Sequence, residues 1–250
     1  MRTTRVFVDL SLTAEQELLL PAAPSRHLLR ALRLRPGAAL TLFNGRGGEY
    51  SAELIGADKA GARLRVGVHA AIERESPLQL TLLQGVARSE RMDFIVQKAT
   101  ELGVQRIVPL SCEFSVVRLG APALGRRLEH WRAVAIAACE QSGRNRLPTV
   151  DSISDLADAC AMAAAAKDSG DALHLMLVPQ APEALAALAA GMRSATLLVG
   201  PEGGLSGREQ LLAQRSGFRA CRLGPRIMRT ETAPLAALAA LQALAGDLAN

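Results

Sequence analysis

Two short segments in the last third of the chain carry residue types that bind small molecules. The first is Leu197-Leu198-Val199-Gly200-Pro201-Glu202-Gly203-Gly204, an apolar run that ends abruptly in glycines. Glycine has no side chain to hold a ligand away from the backbone, and a carboxylate in such a turn, Glu202, accepts hydrogen bonds from ribose hydroxyls or an amine. A tight turn without function would use the same glycines and proline, and Glu202 is the residue that weighs against it. The second segment is Leu223-Gly224-Pro225-Arg226-Ile227-Met228-Arg229-Thr230-Glu231-Thr232-Ala233-Pro234. Two arginines and a glutamate beside an Ile-Met pair suit a pocket that holds an aromatic base next to a charged group, whereas a plain surface loop rarely interleaves charges and aliphatics so densely.

A third polar cluster, Glu140-Gln141-Ser142-Gly143-Arg144-Asn145-Arg146, follows the apolar run Ala133 to Ala138. It reads as a frayed helix end or as a substrate or interface surface. Common signatures are missing: there is no GxGxxG after the first strand, no GxxxxGK[ST] and no GxSxG, which disfavours dinucleotide binding, P-loop phosphoryl transfer and a serine nucleophile elbow. The four cysteines, Cys112, Cys139, Cys160 and Cys221, and the four histidines are scattered without metal-ligand spacing. We therefore expect reduced, mostly buried thiols and no metal.

The elements that must position these segments follow from periodicity. Alternating stretches at Arg5–Val8, Ala39–Phe43, Glu49–Leu54 and Ala62–Val66, separated by glycine-rich turns, predict a small β-barrel. One helix interrupts it, with Ser25 as N-cap and Pro36-Gly37 as its stop. On that helix Arg26, Arg30 and Arg33 fall at i, i+4 and i+7 and share a face, while Leu28, Leu29 and Leu32 turn to another. The strip is either a solvated face or a phosphate-binding one.

After the polar break Glu73-Arg74-Glu75-Ser76-Pro77 the pattern changes to alternating strands and helices. Strands are predicted at 78–86, 105–110, 173–178, 195–199 and 219–223, and helices at 89–102, 122–142, 153–166, 181–191, 206–216 and 232–246. Ser89 is the expected cap of the first of these helices and Gly103 its end. Ser206 and Glu209 form a capping box, and Thr230 or Thr232 caps the last helix, with Pro234 in its first turn. The fold class is therefore α/β with a mainly parallel sheet, and ligands of such sheets sit beyond the carboxyl ends of the strands, where both glycine-bearing segments lie. The predicted domains are residues 1–74 and 75–250.

Hydrophobic residues make up 49% of the 250, mostly Ala and Leu, and aromatics only 3%, which excludes a pure β-sandwich. A net charge of +5, carried mainly by arginine, fits a polyanionic partner, although a GC-rich genome would also write arginine for lysine. No secretory signal or long uncharged apolar run is evident, so a cytoplasmic location without membrane attachment is expected.

Five segments in fixed order resemble one family. They are Arg91 to Gly103 (RMDFIVQKATELG), Ser115-Val116-Val117-Arg118, Ala138 to Arg146 (ACEQSGRNR), Gly200 to Gly204, and Leu223 to Ala233. Together they resemble the RsmE family, bacterial 16S rRNA uridine-N3 methyltransferases of the SPOUT class, over nearly the whole chain. The resemblance implies a PUA-like RNA-binding barrel followed by an α/β domain tied in a trefoil knot, a homodimer, and S-adenosyl-L-methionine as cofactor. The implied cofactor residues are Leu198, Val199, Gly200, Pro201, Glu202, Gly203, Leu223, Gly224, Ile227, Met228, Thr232 and Ala233. The partner implied is 16S rRNA or the assembled small ribosomal subunit. Two positions depart from the pattern: Phe114 stands where a basic residue is usual, removing one contact to RNA, and Met228 replaces leucine at nearly constant volume.

Methylation of uridine N3 requires loss of its proton, with negative charge spreading onto the neighbouring carbonyls, so cationic donors there would stabilise the transition state. Arg229 and Arg226 are the candidates for that task, and Glu140, Glu202 or Glu231 for the base. Arg2, Arg5, Arg26, Arg30, Arg33, Arg91, Arg144, Asn145 and Arg146 are the candidate RNA contacts. Trp131, the only tryptophan, is expected in core or dimer packing. Two other functions fit parts of the pattern: a non-catalytic rRNA-binding module, and a knotted methyltransferase acting on a tRNA base or a ribose 2'-hydroxyl.

Overall fold

The computed structural model describes residues 3–115, 121–165, 172–189 and 191–249, which form two compact units. Residues Met1–Glu75 and Cys139–Leu147 make the first, and Ser76–Ala138 and Pro148–Asn250 the second.

In the first unit β1 (Thr4–Phe7), β2 (Glu17–Leu19), β3 (Ala39–Phe43), β4 (Glu49–Asp58) and β5 (Gly61–Ala70) form a mixed sheet in the order β1-β3-β4-β5-β2. Only β1 and β3 pair in parallel. The period of two is plain in β5, where Ala62, Leu64 and Val66 are buried and Arg63 and Arg65 face water. Their partners in the core include Val6, Leu28, Leu40, Leu42 and Leu54.

The expected helix of this unit is shorter and differently wound. It consists of α1 (Ala22–Arg26) running into a single π-helical turn, His27–Ala31. Pro21 occupies the N-cap, so Ser25 does not cap the helix. Instead the buried Ser25 hydroxyl donates to the Leu20 carbonyl (2.9 Å) and accepts the Ala62 N–H (3.0 Å), fastening the helix to β5. The wider turn shifts the register of side chains, and Arg33 lies beyond the helix with φ at +52°. Arg26, Arg30 and Arg33 are all exposed, but they do not form a strip at α-helical spacing, and Leu32 is exposed as well.

The second unit is a parallel sheet with helices on both faces. Its strands are β6 (Gln79–Gly85), β7 (Arg106–Ser111), β8 (Thr149–Val150), β9 (Ser154–Asp155), β10 (Ala172–Leu177), β11 (Ser194–Val199) and β12 (Arg219–Cys221). The order is β12-β10-β11-β6-β7-β8, with β9 also pairing β7. Neighbouring residues of one strand point to opposite faces and build two separate cores. Leu82, Leu175 and Leu197 pack with α2 (Ser89–Glu101), α3 (Ala121–Ser142) and α7 (Thr232–Ala245). Leu83, Met176 and Leu198 pack with α4 (Leu156–Ala165) and α6 (Gly207–Arg215). The buried stripe of α2 is Met92, Ile95, Val96 and Ala99, and Trp131 of α3 is 1% exposed in the same core.

Several expected helix ends hold. Gly103, at φ +82°, closes α2, and Ser206 with Glu209 forms the capping box of α6. Others do not. Arg88 takes the N-cap of α2, leaving Ser89 inside the helix. Glu231, without a side-chain cap, precedes α7, and neither Thr230 nor Thr232 caps it. The helix expected over 181–191 shrinks to α5 (Leu185–Leu188), because the residue before Pro182 disfavours helical backbone and Ala184 is extended. Residues 183–185 instead exchange backbone hydrogen bonds with Arg222 (2.9 and 3.0 Å). No described helix is long and apolar enough to cross a membrane.

Candidate active site

The two glycine-bearing segments follow two strands of one sheet, β11 and β12, which flank β10. Residues 200–204 leave the end of β11, and residues 222–231 connect β12 to α7. Gly200 can only be glycine, since a Cβ there would lie 2.7 Å from the Gly204 carbonyl carbon and 2.9 Å from the Leu205 nitrogen. The Gly204 N–H closes the turn on the Pro201 carbonyl at 2.9 Å. From the second segment the buried Thr230 hydroxyl donates to the Gly200 carbonyl at 3.0 Å. The fully buried Gln84 amide at the end of β6 reaches the Gly85 carbonyl (2.9 Å) and approaches Thr230 Oγ1 (3.4 Å). A buried hydrogen bond left unmade costs about 1–3 kcal/mol, so this network holds the loops side by side.

Between them is an open cavity of about 410 Å³, within the range of small-molecule sites. Val199, Gly200, Pro201, Glu202 and Gly203 line it from the first segment. Leu223, Gly224, Arg226, Ile227, Met228, Arg229 and Ala233 line it from the second. Two expected cofactor residues are not in the lining: Leu198 points into the core on the α4 and α6 side, as alternation from Val199 demands, and Thr232 is the first residue of α7. The sequence reading missed Leu177 and Val178, at the end of the predicted strand 173–178, and Pro179 just past it, all of which line the same cavity. Their position at the carboxyl end of a predicted strand was the available signal.

Arg91, from the first turn of α2, also lines the cavity. Its Nη1 lies 3.2 Å from Glu202 Oε1 and its Nε 3.7 Å from Glu231 Oε2. Glu202 Oε1 also accepts the Arg88 N–H at 3.0 Å, at the start of α2, where the helix dipole favours a negative charge. Glu202 Oε2 and Glu231 Oε2 are buried and have no hydrogen-bond donor among the described residues. Such an oxygen fits the ammonium or hydroxyl donors of S-adenosylmethionine, and the apolar wall of Leu177, Val199, Leu223, Met228 and Ala233 fits its adenine.

Phe114 is 47% exposed, with its Cβ lying against Gly203, where an added Cβ would approach to 2.7 Å. The four cysteines are free and buried. Burial above all pushes the Cys112, Cys139 and Cys221 thiols up to about 12.

Glu140 is outside the cavity lining and has a different duty in the first unit. Its carboxylate accepts the Phe7 N–H at 2.9 Å, and burial raises its pKa despite that bond. Arg5, Arg144 and Asn145, expected to contact RNA, are likewise engaged inside this unit. Arg5 bonds Glu49 (2.5 Å) and Asn145 Oδ1 (2.6 Å), and Arg144 forms a two-pronged pair with Glu75 (2.5 and 3.1 Å). Asn145 donates to the Ile72 carbonyl (2.6 Å) and to Glu49 (3.2 Å). Except for the buried Arg5 Nε, their donors are turned to protein acceptors, so Arg144 and Asn145 belong to a strap and not to an open surface. Arg146 is 56% exposed beside Glu73. Arg2 and the Val116–Arg118 part of the second motif lie outside the described residues.

Residues 74–242 match the family of the RNA methyltransferase domain, and residues 21–67 that of the RNA methyltransferase PUA domain. Ribosomal RNA small subunit methyltransferase E of Bacillus subtilis (strain 168) is 30% identical over 227 residues, 86% of this chain and 85% of its own. The chain belongs to the RsmE family. Another RsmE, from Neisseria gonorrhoeae, is known from a crystal structure bound to S-adenosyl methionine. It is 37% identical with a TM-score of 0.88, the match covering 98% of this chain and 99% of that one. A Legionella pneumophila chain, Lpg2936, solved with its bound cofactor SAM, is 33% identical with a TM-score of 0.91 over 99% of this chain and 100% of its own. The PUA-like unit, the parallel α/β unit and the order of the motifs are thus those expected of an RsmE.

Proposed function

We propose that this RsmE-family chain is an S-adenosylmethionine-dependent methyltransferase acting on N3 of one uridine in 16S rRNA. The observation that carries the reading is the cavity between residues 200–204 and 223–233, with the two loops tied through Thr230 and Gly200. When bound, the cofactor supplies an electrophilic methyl group on a sulfonium. The chain's own residues must then hold that group, align the ring nitrogen with it and manage one proton.

The glycine turn and the apolar wall bind and orient the cofactor in this reading. Arg226 and Arg229 are exposed side chains at the cavity and make no ion pair with any described residue, so both guanidinium groups can face the developing charge on the uracil oxygens. Of the candidate bases, Glu202 lines the cavity, while Glu231 is outside the lining with its Oε2 3.7 Å from Arg91 Nε; each has a buried oxygen without a donor among the described residues, and the proton goes to one of these two. Residues 1–74 serve as the RNA grip and 75–250 as the catalytic domain; Arg26, Arg30 and Arg33 are the exposed contacts of the grip, and Arg146, in the strap that packs with the first unit, is another. A knotted path, a homodimer and a cytoplasmic setting complete the reading.

Mass mapping of 16S rRNA from cells lacking the gene, before and after treatment with the purified enzyme, tests it. One methyluridine absent from the untreated small subunit and regained on treatment is the expected result. A 16S rRNA with the same methylations in both samples would refute it.

A further inference from the structure

Arg91 is by sequence a candidate RNA contact, but its surroundings give it another task. It stands where three segments converge: the start of α2, the turn after β11 and the loop before α7. One guanidinium faces a carboxylate from each loop, Nη1 toward Glu202 at 3.2 Å and Nε toward Glu231 at 3.7 Å. The Arg88 N–H holds the same Glu202 oxygen at 3.0 Å, so that oxygen is fixed by two donors. The other Glu202 oxygen is buried with no donor among the described residues.

A buried carboxylate oxygen without a donor is costly unless a ligand supplies one. We propose that Arg91 is a positioning residue that ties the two cofactor loops through Glu202 and Glu231 and aims the free Glu202 oxygen at a hydrogen-bond donor of S-adenosylmethionine. The inference rests on the reading of this cavity as the cofactor site. Its geometry requires a fork: the planar guanidinium addresses two carboxylates in different directions, whereas an ammonium on a flexible stem addresses one. The task also differs from phosphate contact, because both faces of the side chain that carry these donors are turned to protein carboxylates. Removal of the tie should weaken cofactor binding without weakening the grip on RNA.

The test is calorimetric titration of the purified full chain with S-adenosylmethionine, without RNA, for the unaltered protein and for Arg91→Ala, Arg91→Gln, Arg91→Lys and Met228→Trp. Loss of the charge-assisted contacts should raise Kd about tenfold in the Ala and Gln variants, and lysine should not restore it. Two controls separate this from general damage: the thermal midpoint of Arg91→Gln should match the unaltered protein, and the KM for rRNA should stay within about threefold. An unchanged cofactor Kd with a raised KM for rRNA would overturn the inference and return Arg91 to the RNA surface. Full rescue by lysine would overturn it too. Met228→Trp fills the cavity, so undiminished binding there would mean that the cavity reading itself fails. Lost binding there with an unchanged Arg91→Ala would remove the tie alone.

Discussion

Among the described residues, two clusters of arginines and carboxylates differ in what is left over. In the first unit Arg5, Arg74 and Arg144 supply Glu49, Glu75 and Asn145 with donors at 2.5–3.2 Å, and what is left over is a buried donor, Arg5 Nε, and no carboxylate oxygen. At the cavity Arg91 faces two carboxylates at 3.2 and 3.7 Å, and each keeps one buried oxygen without a donor. Closed pairing fixes a strap of chain to a sheet. Open pairing, beside glycines and an apolar wall, leaves bonding capacity for a ligand. Residue types alone do not separate the two cases, because both are arginine and glutamate within short motifs.

The comparison breaks most visibly if the closed cluster proves dispensable. Arg144→Ala leaves the Glu75 carboxylate without its partner in a largely buried place and should cost about 3–5 kcal/mol of stability, read by denaturant unfolding. A smaller effect is expected at the open end. Arg229→Ala should fold normally and lose about a hundredfold in kcat, measured by methyl transfer to rRNA, as when one donor to a developing oxyanion is removed. Retention of full activity would take Arg229 out of the mechanism.

Acidity sharpens the contrast further. Burial pushes the Glu49 carboxyl up, but hydrogen bonds from Arg74, Arg5 and Asn145 outweigh it and bring it down to about 2, from an ordinary value of 4.5. A carboxyl lowered on folding adds stability that is fully present above its unfolded value and is lost as the pH falls toward its folded one. Stability measured between pH 4.5 and 2 should therefore drop more steeply for the unaltered protein than for Glu49→Gln. The smallest effect belongs to Met228→Leu, a nearly volume-conserving change that should alter the cofactor Kd by less than about threefold.

These outcomes also measure what could be read from sequence. The cavity loops were legible because their chemistry is local: Gly200 to Gly204 and Leu223 to Ala233 each follow an apolar strand, and their glycines and charges lie within a dozen residues. The strap was not, since Arg5 finds Asn145 across 140 positions and Arg144 finds Glu75 across 69. Arg26, Arg30 and Arg33 were misplaced because α1, fastened to β5 through Ser25, runs into a π-helical turn that breaks the spacing on which the strip depended. The helix over 181–191 yielded to Pro182 and to the pairing of Ala184 with Arg222. In each case a long-range contact overrode a local preference, and the correct readings were those in which the two agreed.

Methyl transfer by this chain requires that the loops after β11 and β12 form one pocket for the methyl donor. Amide hydrogen exchange of the full chain, with and without saturating S-adenosylmethionine, tests it most directly. Added protection confined to residues 199–204, 222–230 and the 177–179 segment is the predicted result. Protection of only one of the two loops, or of neither, would contradict it.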